Sequence, residues 1–165
     1  MMKPSALSKY NIQVAPLTAT QVEDALAVYR AGGWTEDSLA FVEAEIVAYL
    51  KGDVKGYIRQ RFIVVLVEER IVGVAAWAPS MCSFSVYELS WATVLPEWRH
   101  VGINTIMLQE RINMIRSQHG HGQFEVLVYT WDNPMYAQAG FSPLASYTQR
   151  FKDKQKCILL AKFEG

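Results

Sequence analysis

Between Leu95 and Leu108 the chain reads LPEWRHVGINTIML, and a strand-like run, VYELSWATV, leads into it. The residue types at this junction suit the binding of an anion. Pro96 cannot donate to a sheet ladder and so ends the strand. Gly102 lets the backbone approach a ligand closely. A helix starting directly after it presents unpaired N–H groups at the positive end of its dipole, and such an end binds phosphate without charged side chains. A plain strand-to-helix connection uses the same residue types, so the junction alone leaves both readings open. In the same run Glu88 stands between Tyr87 and Leu89, and partial burial raises a carboxylate towards the range useful to a general base. The alternative is an outward-facing strand residue. Alternation puts Glu88, Ser90, Ala92 and Val94 on one face and Tyr87, Leu89 and Trp91 on the other, up to any bulge.

The elements that must position these residues follow from patterning. NIQVAPLT alternates briefly as a first strand, and Thr20 with Glu23 forms a capping box for a helix over about 21–30, ended by Gly32 and Gly33. A second helix fits EDSLAFVEAEIVAYLK, with Gly52 as its stop. RFIVVLVEERIVGVAAWAP reads as a hairpin around EER, and FSVYELSWATV as the next strand. GINTIMLQERINMIRSQ is a helix whose apolar side carries Ile103, Met107, Leu108, Ile112 and Ile115, interrupted by Asn104 and Arg111. A strand (QFEVLVYTW), a short helix (PMYAQAG) and two closing strands (SPLASYTQRF and KCILLAKF) complete the order β, α, α, β, β, β, α, β, α, β, β. One helix joins two parallel neighbours and the other pairings are antiparallel. The expected fold is therefore α/β, with a mixed, mostly antiparallel central sheet of six to seven strands and about four helices, as a single domain over 1–165.

Composition narrows the function. The chain has 165 residues, 51% of them hydrophobic, enough for one real core. No apolar run is long enough to span a membrane, and MMKPSALSKY lacks the apolar middle of a secretory signal. The expectation is a cytoplasmic protein. With 16 Lys plus Arg against 16 Asp plus Glu, no electrostatic argument favours nucleic acid or an anionic membrane. Cys82 and Cys157 are too few for a disulfide framework, and neither they nor His100, His119 and His121 have metal-site spacing. Neither a metal, nor nucleic acid, nor a membrane is expected as a partner.

The segment VLPEWRHVGINTIML resembles the coenzyme-binding motif of the GCN5-related N-acetyltransferase superfamily. That motif is a strand ending in Val-x-Pro, followed by Gln/Arg-x-x-Gly-x-Gly/Ala opening a helix. Here it reads Val94, Pro96, Arg99, Gly102 and Asn104, with Asn104 where the family prefers Gly or Ala. Downstream, MYAQAGF matches a second signature, a Tyr four residues before Gly-Phe, as Tyr136, Gly140 and Phe141. The order of elements agrees over nearly the whole chain. The resemblance implies acetyl-coenzyme A as co-substrate. Its pantetheine arm would be held by backbone groups of Ala92, Thr93 and Val94 beside a bulge, which frees groups a regular ladder would consume. Its pyrophosphate would be held by the amides of Arg99, His100, Val101, Gly102, Ile103 and Asn104, with Thr105. Asn133, near the place of a family coenzyme-contacting Asn, reads as a helix cap ahead of Pro134.

Acetyl transfer to an amine, which is protonated at neutral pH, requires a base and a proton for the leaving thiolate. Several family members carry a catalytic glutamate on the strand of Glu88, which makes it the candidate base. The second motif makes Tyr136 the candidate acid. A backbone N–H such as that of Val94 would stabilise the oxyanion. The acceptor, a small-molecule or peptide amine, would meet Trp34, Trp91, Tyr129 and Trp131, with Tyr87 if a bulge turns it inward. Aromatic walls suit an apolar or cationic amine. A degenerate member that binds acyl-coenzyme A as a sensor or interaction module is the alternative, and a homodimer is compatible with either.

Overall fold

The computed structural model describes residues 7–52, 60–81, 83–130, 134–148 and 155–165, without the side chains of 147, 148 and 155. Cys82, Trp131 and Asn133 lie outside the described residues. Seven strands form one sheet: β1 (Ile12–Pro16), β2 (Arg61–Val67), β3 (Arg70–Pro79), β4 (Val86–Val94), β5 (Gln123–Thr130), β6 (Ser142–Thr148) and β7 (Gln155–Glu164). Their spatial order is β1-β2-β3-β4-β5-β7-β6. Only β4 and β5 pair in parallel; every other neighbouring pair is antiparallel. The hairpin between β2 and β3 turns on Glu68 and Glu69, both left-handed at φ 49° and 68°, the backbone of the tight turn that fits strand twist.

The helices α1 (Val22–Ala31), α2 (Glu36–Lys51), α3 (Ile103–His119) and α4 (Pro134–Gln138) cover the two faces. Gly73 and Val74 point to opposite sides of β3. A Cβ at Gly73 would lie 3.0 Å from Met107 Sδ of α3, whereas Val74 pairs with Thr93, whose hydroxyl meets Gly32 at the end of α1. Helices α1 and α3 therefore sit on opposite faces. Tyr136 of α4 joins Leu108, Ile112 and Ile115 of α3 in one apolar cluster. All five apolar residues expected on α3 are buried, and so is Arg111 among them. Among the described residues no helix is long and apolar enough to cross a membrane.

The start of α1 differs from the expectation. The capping box is Thr18 with Gln21, where the Thr18 N–H donates to Gln21 Oε1 at 3.0 Å. A short 3-10 turn over Ala19–Gln21 enters the helix before Thr20 could cap it. The limits of α2 coincide with the sequence reading. Thr35 caps it by accepting from the Ser38 N–H at 3.3 Å, and Gly52 closes it at φ 64°.

Strand β4 is regular only in its first half. Val86–Leu89 pair with β5 on one side, and Tyr87–Ser90 pair with Pro79–Ala76 of β3 on the other. The register then slips: Ser90 faces Ala76 and Thr93 faces Val74, so Trp91 and Ala92 together oppose Ala75. Trp91 adopts φ 53°, the conformation of a bulge. Pairing with β5 stops at Leu89–Val128, while β5 runs on to Thr130 against β7 alone. A gap opens between the outer halves of β4 and β5. The slip also exchanges faces beyond Ser90: Thr93, not Ala92 or Val94, shares the side of Glu88.

Candidate active site

A cleft of about 1000 Å³ runs along this outer half of β4. Ala92, Thr93 and Val94 form one wall. Arg99, His100, Gly102, Asn104 and Thr105 form its end, and Gly32 to Thr35 with Ser38 the opposite side. Of the residues expected at the coenzyme, those with side chains away from the cleft are Val101, which packs on the core cluster, and Ile103, which is buried in it. The sequence did not point to Gly32, Gly33, Thr35, Ser38, Trp98, Met135 or Lys156, which also line the cleft. Trp98 lies in the short turn between β4 and α3, and the others come from the α1–α2 junction, α2, α4 and β7, which only the assembled sheet brings together. Gly32 alone carried a local signal. A Cβ there would stand 2.5 Å from Thr93 Oγ1, so only glycine lets the end of α1 touch β4.

The corner from β4 into α3 is built from backbone. His100 and Gly102 are both left-handed, at φ 62° and 108°, and successive turns of this kind gather N–H groups into a concave surface. The first helical bond of α3 is Ile106 N–H to Gly102 O at 3.1 Å, so the preceding amides have no partner inside the helix. No side chain caps this terminus and no acidic residue sits in its first turn. Among the described residues lining the cleft there is no carboxylate, while Arg99, His100 and Lys156 are basic. This environment fits a phosphate-bearing ligand. Asn104 also lines the cleft, and its buried Oδ1 lacks a hydrogen-bond partner.

The bulge supplies the second backbone feature. Leu95 N–H donates to Val72 O at 2.9 Å, which makes Val94 a non-hydrogen-bonded position opposite Gly73 and turns its N–H and C=O away from β3. The Val94 carbonyl accepts from Arg99 Nε at 3.1 Å, and Arg99 Nη2 reaches Gly32 O at 3.4 Å. One arginine thus ties the strand end to α1, and among the backbone groups expected to hold a pantetheine arm the Val94 carbonyl is already engaged. The Trp91 carbonyl accepts the Tyr29 hydroxyl at 2.5 Å. Burial pushes the Tyr29 phenol well above its ordinary 10.0, with the Arg111 charge pulling it partly back, so it stays a donor.

The aromatic and titratable candidates divide. Trp34 lines the cleft and packs on Trp91 at 5.5 Å between ring centroids. Tyr129 is about half exposed, at 48%, and does not line the cleft. Tyr87 is turned away by strand alternation: it lies buried on the α3 side and hydrogen bonds with His119 Nδ1 at 3.1 Å, so it is no part of an acceptor wall. Glu88 is half-buried on the face of Ser90 and Thr93, next to the bulge but outside the cleft lining. Tyr136 is buried with its ring 5.5 Å from Phe141, while its neighbour Met135 reaches the cleft. Among the described residues no group of His, Cys, Asp or Glu is arranged to hold a metal ion.

No family model and no curated protein sequence matches the chain. Solved structures do match. A protein assigned to the GNAT acetyltransferases of Desulfovibrio desulfuricans superposes with a TM-score of 0.76 at 18% identity, covering 93% of this chain and 99% of that one. The PaiA N-acetyltransferase of Thermoplasma acidophilum, in complex with coenzyme A, gives 0.67 at 15% identity, covering 93% and 99%. A GNAT-family acetyltransferase of Elizabethkingia anophelis with acetyl-CoA bound gives 0.66 at 14% identity, again covering 93% and 99%. Bulged fourth strand, splayed fifth strand and glycine-opened third helix agree with this likeness: the chain has the fold of the GCN5-related N-acetyltransferases.

Proposed function

We propose that the protein is an acetyl-CoA-dependent N-acetyltransferase acting in the cytoplasm, moving the acetyl group directly onto a primary amine of a small molecule or peptide. The observation that carries this is the meeting of two backbone features on one cleft: the uncapped N-terminus of α3 and the freed edge of β4. Two of the similar structures are complexes with coenzyme A or acetyl-CoA. The pyrophosphate would lie on the amides of Gly102 to Thr105, and the pantetheine arm along Ala92–Val94. The thioester would then stand in the gap between β4 and β5. There the Val94 N–H, turned away from β3, is placed to stabilise the developing oxyanion.

Chemistry then needs two proton movements. Neither the Glu88 carboxylate nor the Tyr136 phenol lines the cleft, so Glu88 takes the proton of the acceptor ammonium through water. The amine attacks the thioester carbonyl, the C–S bond breaks, and Tyr136 protonates the leaving thiolate. Trp34, packed on Trp91 with the two rings tilted by 38°, forms the apolar wall beside the acceptor.

The test is turnover. Coenzyme A release is followed with acetyl-CoA and a panel of primary amines. Glu88→Gln is expected to lower kcat by about a hundredfold with acetyl-CoA affinity retained; an unchanged pH–rate profile removes Glu88 as base. The burial of both candidate acid–base groups behind the cleft surface also favours a second reading, a coenzyme-binding module without turnover. Tight acetyl-CoA binding with no acetylation and no hydrolysis across the panel selects that reading.

A further inference from the structure

Arg111 is the largest fully buried side chain of the described protein, at 0% exposure, in the middle of the apolar face of α3. Its Nε donates to Met107 O at 3.1 Å and its Nη1 to Ala76 O at 3.1 Å. Nη2 has no hydrogen-bond partner. The ion pairs among the described residues are Arg70–Glu97 and Lys162–Glu125, so no described carboxylate neutralises it. Burial pulls its proton affinity down, and the groups that oppose this are the phenols of Tyr136 and Tyr29. An arginine nevertheless keeps its charge at physiological pH. A buried cation without a counter-ion is costly where an apolar side chain would fill the same space. Its location is specific. Ala76 is the last β3 residue paired before the bulge, and Tyr29 holds the bulge carbonyl of Trp91 from the opposite face. Arg111 therefore lies beneath the start of the bulge, within reach of the Tyr136 phenol.

We propose that Arg111 is a positioning residue for acetyl transfer: from beneath the β3–β4 pair it anchors the bulge through Ala76 O and stabilises the phenolate that Tyr136 becomes. This rests on the reading of the site given above. When the tetrahedral intermediate collapses, the C–S bond breaks and its electron pair stays on sulfur. The sulfur takes the phenolic proton, and the negative charge moves to the Tyr136 oxygen next to the guanidinium. A proton from solvent restores the phenol, while the proton collected from the amine leaves to solvent. The free Nη2 is a donor held ready for a charge that exists only during turnover. The groups acting on this pair are Tyr29 from α1 and the backbone carbonyls of Met107 and Ala76 from α3 and β3.

The experiment compares full-length wild type, Arg111→Met, Arg111→Lys and Tyr136→Phe, and each Arg111 variant combined with Tyr136→Phe. Arg111→Met is expected to lower kcat roughly tenfold to a hundredfold, with acetyl-CoA affinity nearly unchanged. In the Tyr136→Phe background it is expected to cost nothing further. Equal losses in both backgrounds would overturn the proposal, since Arg111 would then serve packing alone. If the Met variant does not fold, Arg111→Lys carries the same comparison with a smaller loss expected. A second measurement needs no turnover. In an alkaline titration of tyrosinate absorbance, the component abolished by Tyr136→Phe is expected to move to higher pH when Arg111 is replaced. No movement would contradict the proposal. Movement in a protein that acetylates nothing would leave the Arg111–Tyr136 pairing standing and reject the enzymatic reading instead.

Discussion

Helices α2 and α3 both begin at the same cleft, and their first turns are finished in opposite ways. Thr35 caps α2 from an extended backbone, and Glu36 and Asp37 lie against the positive end of its dipole. Its orphan amides and its field are answered by its own residues. Helix α3 begins on Gly102 with no side-chain cap and no acid in its first turn. Chain geometry alone would make either terminus an anion site. Side-chain chemistry leaves one of them open, and that one adjoins the bulged strand.

The strongest way to break this contrast is Gly102→Val. The left-handed φ of 108° and the approach of Leu7 Cδ1, 3.4 Å from a built Cβ, leave no relaxed place for a β-branched residue. Strain of about 1–3 kcal/mol is expected to move the amides and lower acetyl-CoA affinity tenfold to a hundredfold in calorimetry; retained affinity would locate the coenzyme elsewhere. Next comes Tyr29→Phe, which leaves the Trp91 carbonyl unpaired. It is expected to cost about 1–3 kcal/mol of stability, read as a lower melting temperature. The same tyrosine sets an alkaline limit. Below its ordinary 10.0 folded and unfolded chains both keep the phenolic proton. Above it the unfolded chain loses the proton first, because burial holds the folded phenol higher, so stability falls as pH rises. Melting temperatures of the Phe variant are expected to decline less steeply through that range. Thr35→Ala is expected to cost about 1 kcal/mol of stability while coenzyme affinity stays as it was; a loss of affinity would mean that α2 contacts the ligand. The smallest effect belongs to Gly102→Asn, since asparagine tolerates the left-handed region: a few-fold loss of affinity at most.

Much of this was legible before the fold. The strand and helix order follows from periodicity, and the end of α2 was marked by Gly52, a local signal. The anion corner showed as Pro96 and Gly102. What stayed hidden was set by pairing between distant segments. The bulge falls on Trp91 and Ala92, in an alternating run without glycine, so its place is fixed by the slip against Ala75 and not by any residue nearby. That slip decides which of Thr93 and Val94 shares the face of Glu88. Arg111 appeared in the sequence only as a break in an apolar stripe, because what it meets, Ala76 O, Tyr29 and Tyr136, comes from three other elements. Trp91 was a candidate outright and Tyr87 only if a bulge turned it inward; the bulge lies beyond Tyr87, and strand geometry sent Tyr87 to His119 and Trp91 to Trp34.

A crystal structure of the complex with acetyl-CoA bears most directly on the central claim. The pyrophosphate oxygens are expected within hydrogen-bonding distance of the main-chain amides of Gly102 to Thr105, with the thioester between β4 and β5. A nucleotide seated at the start of α2, or anywhere that leaves the amides at Gly102 without a phosphate, would contradict it.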